Sequence, residues 1–182
     1  MGCKKHLFIT GEKGIGKSSY LQFLIAGEDR VDGFLTIRSD QFMPSKPSVH
    51  LLRITCSEVR LTEDNLLFYC EDKRKRSNVD RFNRIGARIL DQLVGQELDC
   101  IVMDELGPYE SAADEFCCRI EELLKGNIPI IGVIQKSPGR LYDLITNHTS
   151  VRVIEINREN RDRLRQYSWR DLISAWKEKD LP

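Results

Sequence analysis

The sequence has no surplus of charge of either sign: 28 lysines and arginines stand against 28 aspartates and glutamates in 182 residues. A neutral chain has no long-range field to gather nucleic acid or an anionic membrane, so neither is expected as a partner. Long apolar runs are missing too. The longest strongly apolar stretch, Ile128–Ile134, is far too short to span a bilayer. No charged-then-apolar export segment opens the chain, so a cytoplasmic location is expected. Met1-Gly2 begins like an acylation signal, but His6 stands where that signal has Ser or Thr, and no lipid anchor is expected. The six cysteines include no C-x-x-C pair, and the three histidines have no ligand spacing with them. A zinc site is therefore not expected, and the cysteines in apolar runs read as small buried hydrophobes. The G-x-G-x-x-G dinucleotide fingerprint and an N-K-x-D guanine signature are likewise absent.

The chain does carry an ordinary 41% of hydrophobic residues, enough at this length to bury roughly 70% of its unfolded surface. A single domain over residues 1–182 is expected. Gly11-Glu12-Lys13-Gly14-Ile15-Gly16-Lys17-Ser18 fits the phosphate-binding loop pattern G-x-x-x-x-G-K-[ST] at every fixed position. It follows a strand-like run, Leu7–Thr10, and precedes a helix-like run, Ser18–Ala26. That context is what the chemistry needs. The strand fixes the loop, glycines let backbone N–H groups face phosphate oxygens, and the helix start adds partial positive charge. Lys17 would reach the outer phosphates, the Ser18 hydroxyl would ligate Mg²⁺, and Ser19 completes the set expected to bind nucleotide.

Further along, Gly33–Arg38 reads as a second strand. Val49–Cys56, Glu58–Leu61 and Leu66–Cys70 read as a small β-meander joined by turn residues. Val79–Val94 has the apolar spacing of a one-faced helix. Continuous apolar strands at Cys100–Asp104, Pro129–Ile134 and Val151–Ile156 alternate with helices at Ala112–Leu124, Gly139–Thr146 and from Asn157 to about Lys179. The fold class is then α/β: a mainly parallel sheet with helices on both faces and a small β-meander insertion. In such sheets ligands sit beyond the carboxyl ends of strands, so the chemistry is expected just after Thr10, Met103, Ile134 and Ile156.

Asp104-Glu105 closes a buried strand as a Walker B element does. Asp104 would stand beside the metal held by Ser18. Glu105 would face the terminal phosphate and orient or deprotonate a water, with Lys17 as the second catalytic residue. Glu110 would cap the next helix or support this carboxylate. Gln135 could sense the phosphate, and Lys136 reads as an exposed strand end that could offset charge. Arg84, Arg88, Arg140, Arg158 and Arg161 are all conceivable arginine fingers. The basic run Lys73-Arg74-Lys75-Arg76 has three readings, a contact for nucleic acid, a cover over the triphosphate or a plain solvated loop, and four charges without interleaved aromatics in a neutral chain favour the last. Trp169 and Trp176 would lie two turns apart on one helix face.

With both halves placed, the chain resembles the cancer-related nucleoside-triphosphatase family, small RecA-like P-loop proteins. The likeness runs through Ile9–Ser18, Gly33-Phe34-Leu35-Thr36, Asp104-Glu105-Leu106-Gly107 with Glu110, Ile130-Ile131-Gly132, and Val153–Arg163 with Glu159-Asn160-Arg161-Asp162. It implies Mg²⁺-dependent, slow and broad hydrolysis of ATP, GTP and other nucleoside triphosphates. It also implies a nucleobase near Asn157–Arg161, with Asn160 among the binding residues. Pro108 and Tyr109 depart from the family's usual Lys and Met, and Ser18-Ser19 replaces a common Thr-Thr. Two alternatives stay open on the residues alone: a nucleoside or nucleotide kinase, and a nucleotide-dependent switch acting on a protein partner.

Overall fold

The computed structural model describes residues 4–43, 46–54, 60–70 and 79–174. Seven strands form one sheet: β1 (His6–Gly11), β2 (Val31–Ser39), β3 (Ser48–Arg53), β4 (Leu66–Tyr69), β5 (Cys100–Leu106), β6 (Ile130–Ile134) and β7 (Val151–Ile156). Their order is β4-β3-β2-β5-β6-β1-β7. The five strands from β2 to β7 in that order pair in parallel. The meander adds to the β2 edge by antiparallel pairing of β2 with β3 and of β3 with β4. The small β-meander inserted between β2 and β5 in the chain thus extends the same sheet.

Alternation along the strands divides the core. Phe8 of β1 and Ile101 and Met103 of β5 enter one buried cluster; Leu7, Ile9, Cys100 and Val102 enter the other. The first face is covered by a π-helical stretch, Phe82–Ala87, running into α2 (Arg88–Asp91), and by α3 (Asp114–Lys125) and α4 (Arg140–Thr146). The second face is covered by α1 (Lys17–Ile25), α5 (Arg161–Leu164) and α6 (Trp169–Ser174). Both faces being covered explains why the central strands are continuously apolar. Among the described residues no helix is long and apolar enough to cross a membrane.

His6 is fully buried at the start of β1. Its Nδ1 accepts from the Ile130 N–H at 3.2 Å, so its Nε2 carries the hydrogen that is donated to the Leu124 carbonyl at 3.0 Å. The ring thereby links β1, the end of α3 and β6 as a neutral tautomer. Burial lowers its pKa to about 4, although the Leu124 bond works the other way.

Three expectations need correction. The helix expected over Val79–Val94 is π-wound at Phe82–Ala87 and regular only to Asp91. Arg60 and Leu61, expected in a strand, are not in one. The single C-terminal helix is two short ones, because Ser168 starts afresh: its N–H and hydroxyl donate to Asp171 Oδ2 at 3.0 and 2.7 Å, and the Asp171 N–H donates back to Ser168 Oγ at 3.2 Å. This capping box was legible as Ser168-x-x-Asp171. Trp169 is buried on α6, with its indole N–H on Glu28 at 2.9 Å. The basic run Lys73–Arg76, Trp176 and residues 58–59 of the expected strand lie outside the described residues.

Candidate active site

β1 ends at Gly11 and the chain turns through Glu12–Gly16 into α1. Gly16 stands immediately before the helix with φ 97° and ψ 29°, a left-handed conformation that only glycine takes at little cost. The turn places the start of α1 directly after the end of β1. Lys17, in the first turn, donates to the Gly11 and Glu12 carbonyls at 3.0 and 2.8 Å. Burial lowers its pKa, and the charges of Glu105 and Asp104 oppose that shift.

β6 separates β1 from β5, yet the two halves of the site meet. Ser18 Oγ donates to Asp104 Oδ1 at 2.9 Å. Asp104 is only 3% exposed. Burial pushes its carboxyl up to about 6, with the Ser18 bond and Lys17 pulling down and Glu105 pushing up. The Thr36 hydroxyl donates to the Asp104 carbonyl at 2.9 Å and fixes this turn from β2. In the sequence Thr36 stands only within the Gly33-Phe34-Leu35-Thr36 likeness, and its place on the strand next to the one that carries Asp104 is the signal for its role.

Glu105 has φ 64°, the one non-glycine with positive φ among the described residues. A carboxylate side chain held in such backbone is a mark of a functional constraint. The bend coincides with a register shift between β5 and β6 from Met103 to Leu106. Gln135, just past β6, donates from its amide to Glu105 Oε1 at 2.8 Å. The turn beyond is held by Glu110, whose Oε2 accepts from the Gly107 N–H at 2.9 Å. Burial raises the Glu110 carboxyl to about 7; the backbone N–H bonds from Glu110 and Gly107 counter it, and the Glu105 charge adds to it.

Lys17, Glu105, Tyr109, Gln135, Lys136 and Glu155 line one cleft of about 730 Å³. A second hollow, about 340 Å³, lies on the other side of the loop, between Glu12–Ile15 and Arg158 with Arg161. Arg161 donates to the Ile15 carbonyl at 3.4 Å. Asn160 lines neither space. Its side chain accepts from the Asn157 N–H and donates to the Glu155 carbonyl, both at 2.9 Å, so it holds the β7 exit in shape. Ser19 is exposed on α1. Arg140 pairs with Asp114 on the α3 side.

A parallel sheet, a glycine-turned phosphate loop at the end of β1 and an acid-ended strand two places away define a P-loop nucleoside-triphosphatase architecture. The chain belongs to the NTPase family, whose model matches residues 6–167. It is 26% identical over 160 residues to the nucleoside-triphosphatase THEP1 of Thermotoga sp. strain RQ2, covering 87% of this chain and 90% of that one. It is 30% identical over 134 residues to the THEP1 of Methanosarcina acetivorans, covering 71% and 75%. The crystal structure of THEP1 from Aquifex aeolicus superposes with a TM-score of 0.60 at 18% identity, covering 88% of this chain and 95% of that one. The enzyme class is thus nucleoside-triphosphate hydrolysis.

Proposed function

We propose that residues 1–182 act as one Mg²⁺-dependent nucleoside triphosphatase, converting ATP, GTP and other nucleoside triphosphates to diphosphate and phosphate. The observation that carries this reading is the 2.9 Å contact of Ser18 with Asp104 beside Lys17 and Glu105 in one cleft. The donor set fits a magnesium ion. A hydroxyl and a carboxylate are hard oxygen ligands, and such an ion takes one or two protein oxygens and completes its shell with phosphates and water. Among the described residues no three His, Cys, Asp or Glu side chains gather into a cage of their own. When bound, the ion supplies neutralisation of charge on the outer phosphate oxygens.

The chain's own groups do the rest. The loop amides and Lys17 hold the phosphates in place. Glu105, kept in position by Gln135, orients a water and takes its proton as the water attacks. Breadth toward the base is supported by the setting of the second hollow. Glu12, Lys13 and Arg158 there are exposed side chains, suited to open contact rather than enclosed edge reading.

Glu105→Gln tests the reading. It is isosteric and keeps a partner for Gln135, so nucleotide binding should survive while turnover falls roughly 10²- to 10⁴-fold. Phosphate release with and without Mg²⁺ measures it. Wild-type turnover by that variant would remove Glu105 from the reaction, and hydrolysis undiminished by a chelator would remove the metal.

A further inference from the structure

The cleft is lined at its phosphate end from two directions. One wall is the loop, with Lys17. Across from it the chain after β5 offers Pro108 and Tyr109, which carry no charge, and the chain after β6 offers Gln135 and Lys136. Lys136 Nζ donates to both carboxylate oxygens of Glu155, at 3.0 and 2.9 Å. The strand order gives this pair its meaning. β1 lies between β6 and β7, and Thr10 of β1 stands in register with Glu155 of β7. A contact from the exit of β6 to Glu155 therefore passes over the carboxyl end of β1, where the phosphate loop begins.

Chemistry makes the pair more than a surface ion pair. An ammonium has three donors, and two contacts to Glu155 leave a third. Glu155 can thus hold Lys136 over the cleft without exhausting it. Both partners are about half exposed, at 59% and 52%, and an exposed pair is held weakly enough to shift toward a stronger anion. The terminal phosphate is such an anion. As it detaches, charge spreads over its peripheral oxygens, and a carboxylate, Glu105, stands close by. A cation on the wall opposite Lys17 would stabilise that charge as it develops.

We propose that Lys136 is a catalytic residue that contacts the terminal phosphate of the bound nucleotide, and that Glu155 is the positioning residue that holds it there. The proposal deepens the hydrolase reading and rests on it. No covalent bond to Lys136 forms; its role is charge stabilisation of the transferred group.

The test compares Lys136→Met, Lys136→Arg, Glu155→Gln and the double variant Lys136→Met/Glu155→Gln with wild type. Lys125→Met, which removes an exposed lysine paired with Glu121 on α3, controls for loss of a surface charge. Phosphate release gives kcat, and titration with ADP and a non-hydrolysable ATP analogue gives binding. We expect Lys136→Met to lower kcat about 10- to 100-fold and to weaken the analogue while leaving ADP affinity within twofold. Lys136→Arg should recover most of the rate. Glu155→Gln should lose less, and the double variant no more than Lys136→Met alone, because the carboxylate acts only through the lysine. Since Lys136 is exposed, unchanged thermal unfolding verifies that each variant is folded. A wild-type kcat for Lys136→Met, equal weakening of ADP and analogue, or fully additive losses in the double variant would each overturn the proposal and leave the hydrolase reading standing. Wild-type protein that binds neither nucleotide would instead sink the hydrolase reading, and the Lys136 role with it.

Discussion

Glu105 is the residue on which the most unusual local features converge. Its backbone lies at φ 64°, its carboxylate takes a hydrogen bond from Gln135, and the turn after it is held by Glu110. In the hydrolysis proposed above Glu105 is the base, and the Gln135 hydrogen bond is what would aim it. Gln135→Ala should therefore lower kcat roughly tenfold through loss of alignment, with KM for the nucleotide little changed. Steady-state kinetics on the variant decides it; a rise in KM at constant kcat would make Gln135 a binding group instead. The glycine-lysine-serine loop and the Asp-Glu pair were legible in the sequence because both obey fixed spacing. The links between them were not. Thr36, Gln135 and Glu110 act through contacts made by chain reversal and strand neighbours, which spacing along one chain does not encode.

At the scale of elements, continuous apolar runs located the strands of the parallel sheet, while the helices were legible only in part. The stretch Phe82–Ala87 has helical spacing, so periodicity suggested an ordinary helix. The stretch packs closely on α3, which the spacing does not encode: Phe82 and Phe34 have ring centroids 5.9 and 5.7 Å from that of Phe116, and a Cβ at Gly86 would come within 2.6 Å of that ring. Gly86→Ala must move Phe116 or part the two helices. The expected cost is about 1–3 kcal/mol, measurable by urea unfolding, with turnover per folded molecule retained because neither Gly86 nor Phe116 lines the cleft or the second hollow. A stability within a few tenths of wild type would mean that the π-stretch absorbs the methyl by shifting register. The missed break between α5 and α6 has a different origin. The capping box at Ser168 overrides the continuing apolar pattern, a local hydrogen-bond signal competing with periodicity.

For the whole molecule, two buried titratable groups make stability depend on pH in opposite senses. His6 has its pKa lowered from 6.5 to about 4 by burial. It contributes stability above its unfolded value, and that contribution is lost as pH falls from 6.5 toward 4. Glu110 is raised from 4.5 to about 7. Below 4.5 it is protonated in both states and costs nothing; as pH rises to 7 the unfolded chain ionises first and stability is lost. The Glu110→Gln variant isolates the second effect, since the amide keeps shape and an acceptor for Gly107. Relative to that variant, wild type should gain about 2–3 kcal/mol in unfolding free energy as pH is lowered from 7.5 to 4.5. Chemical denaturation at a series of pH values measures the difference, and a constant gap would mean that Glu110 stays ionised when folded.

The positive φ of Glu105 has one more consequence. Glycine would occupy that backbone without strain, and asparagine with less of it than glutamate. A laboratory lineage selected for heat tolerance alone would drift toward glycine or asparagine at position 105, growing sturdier while giving up the carboxylate that the proposed hydrolysis uses. Retention of an acid there through such a lineage would need a second selection, for turnover, acting against the first.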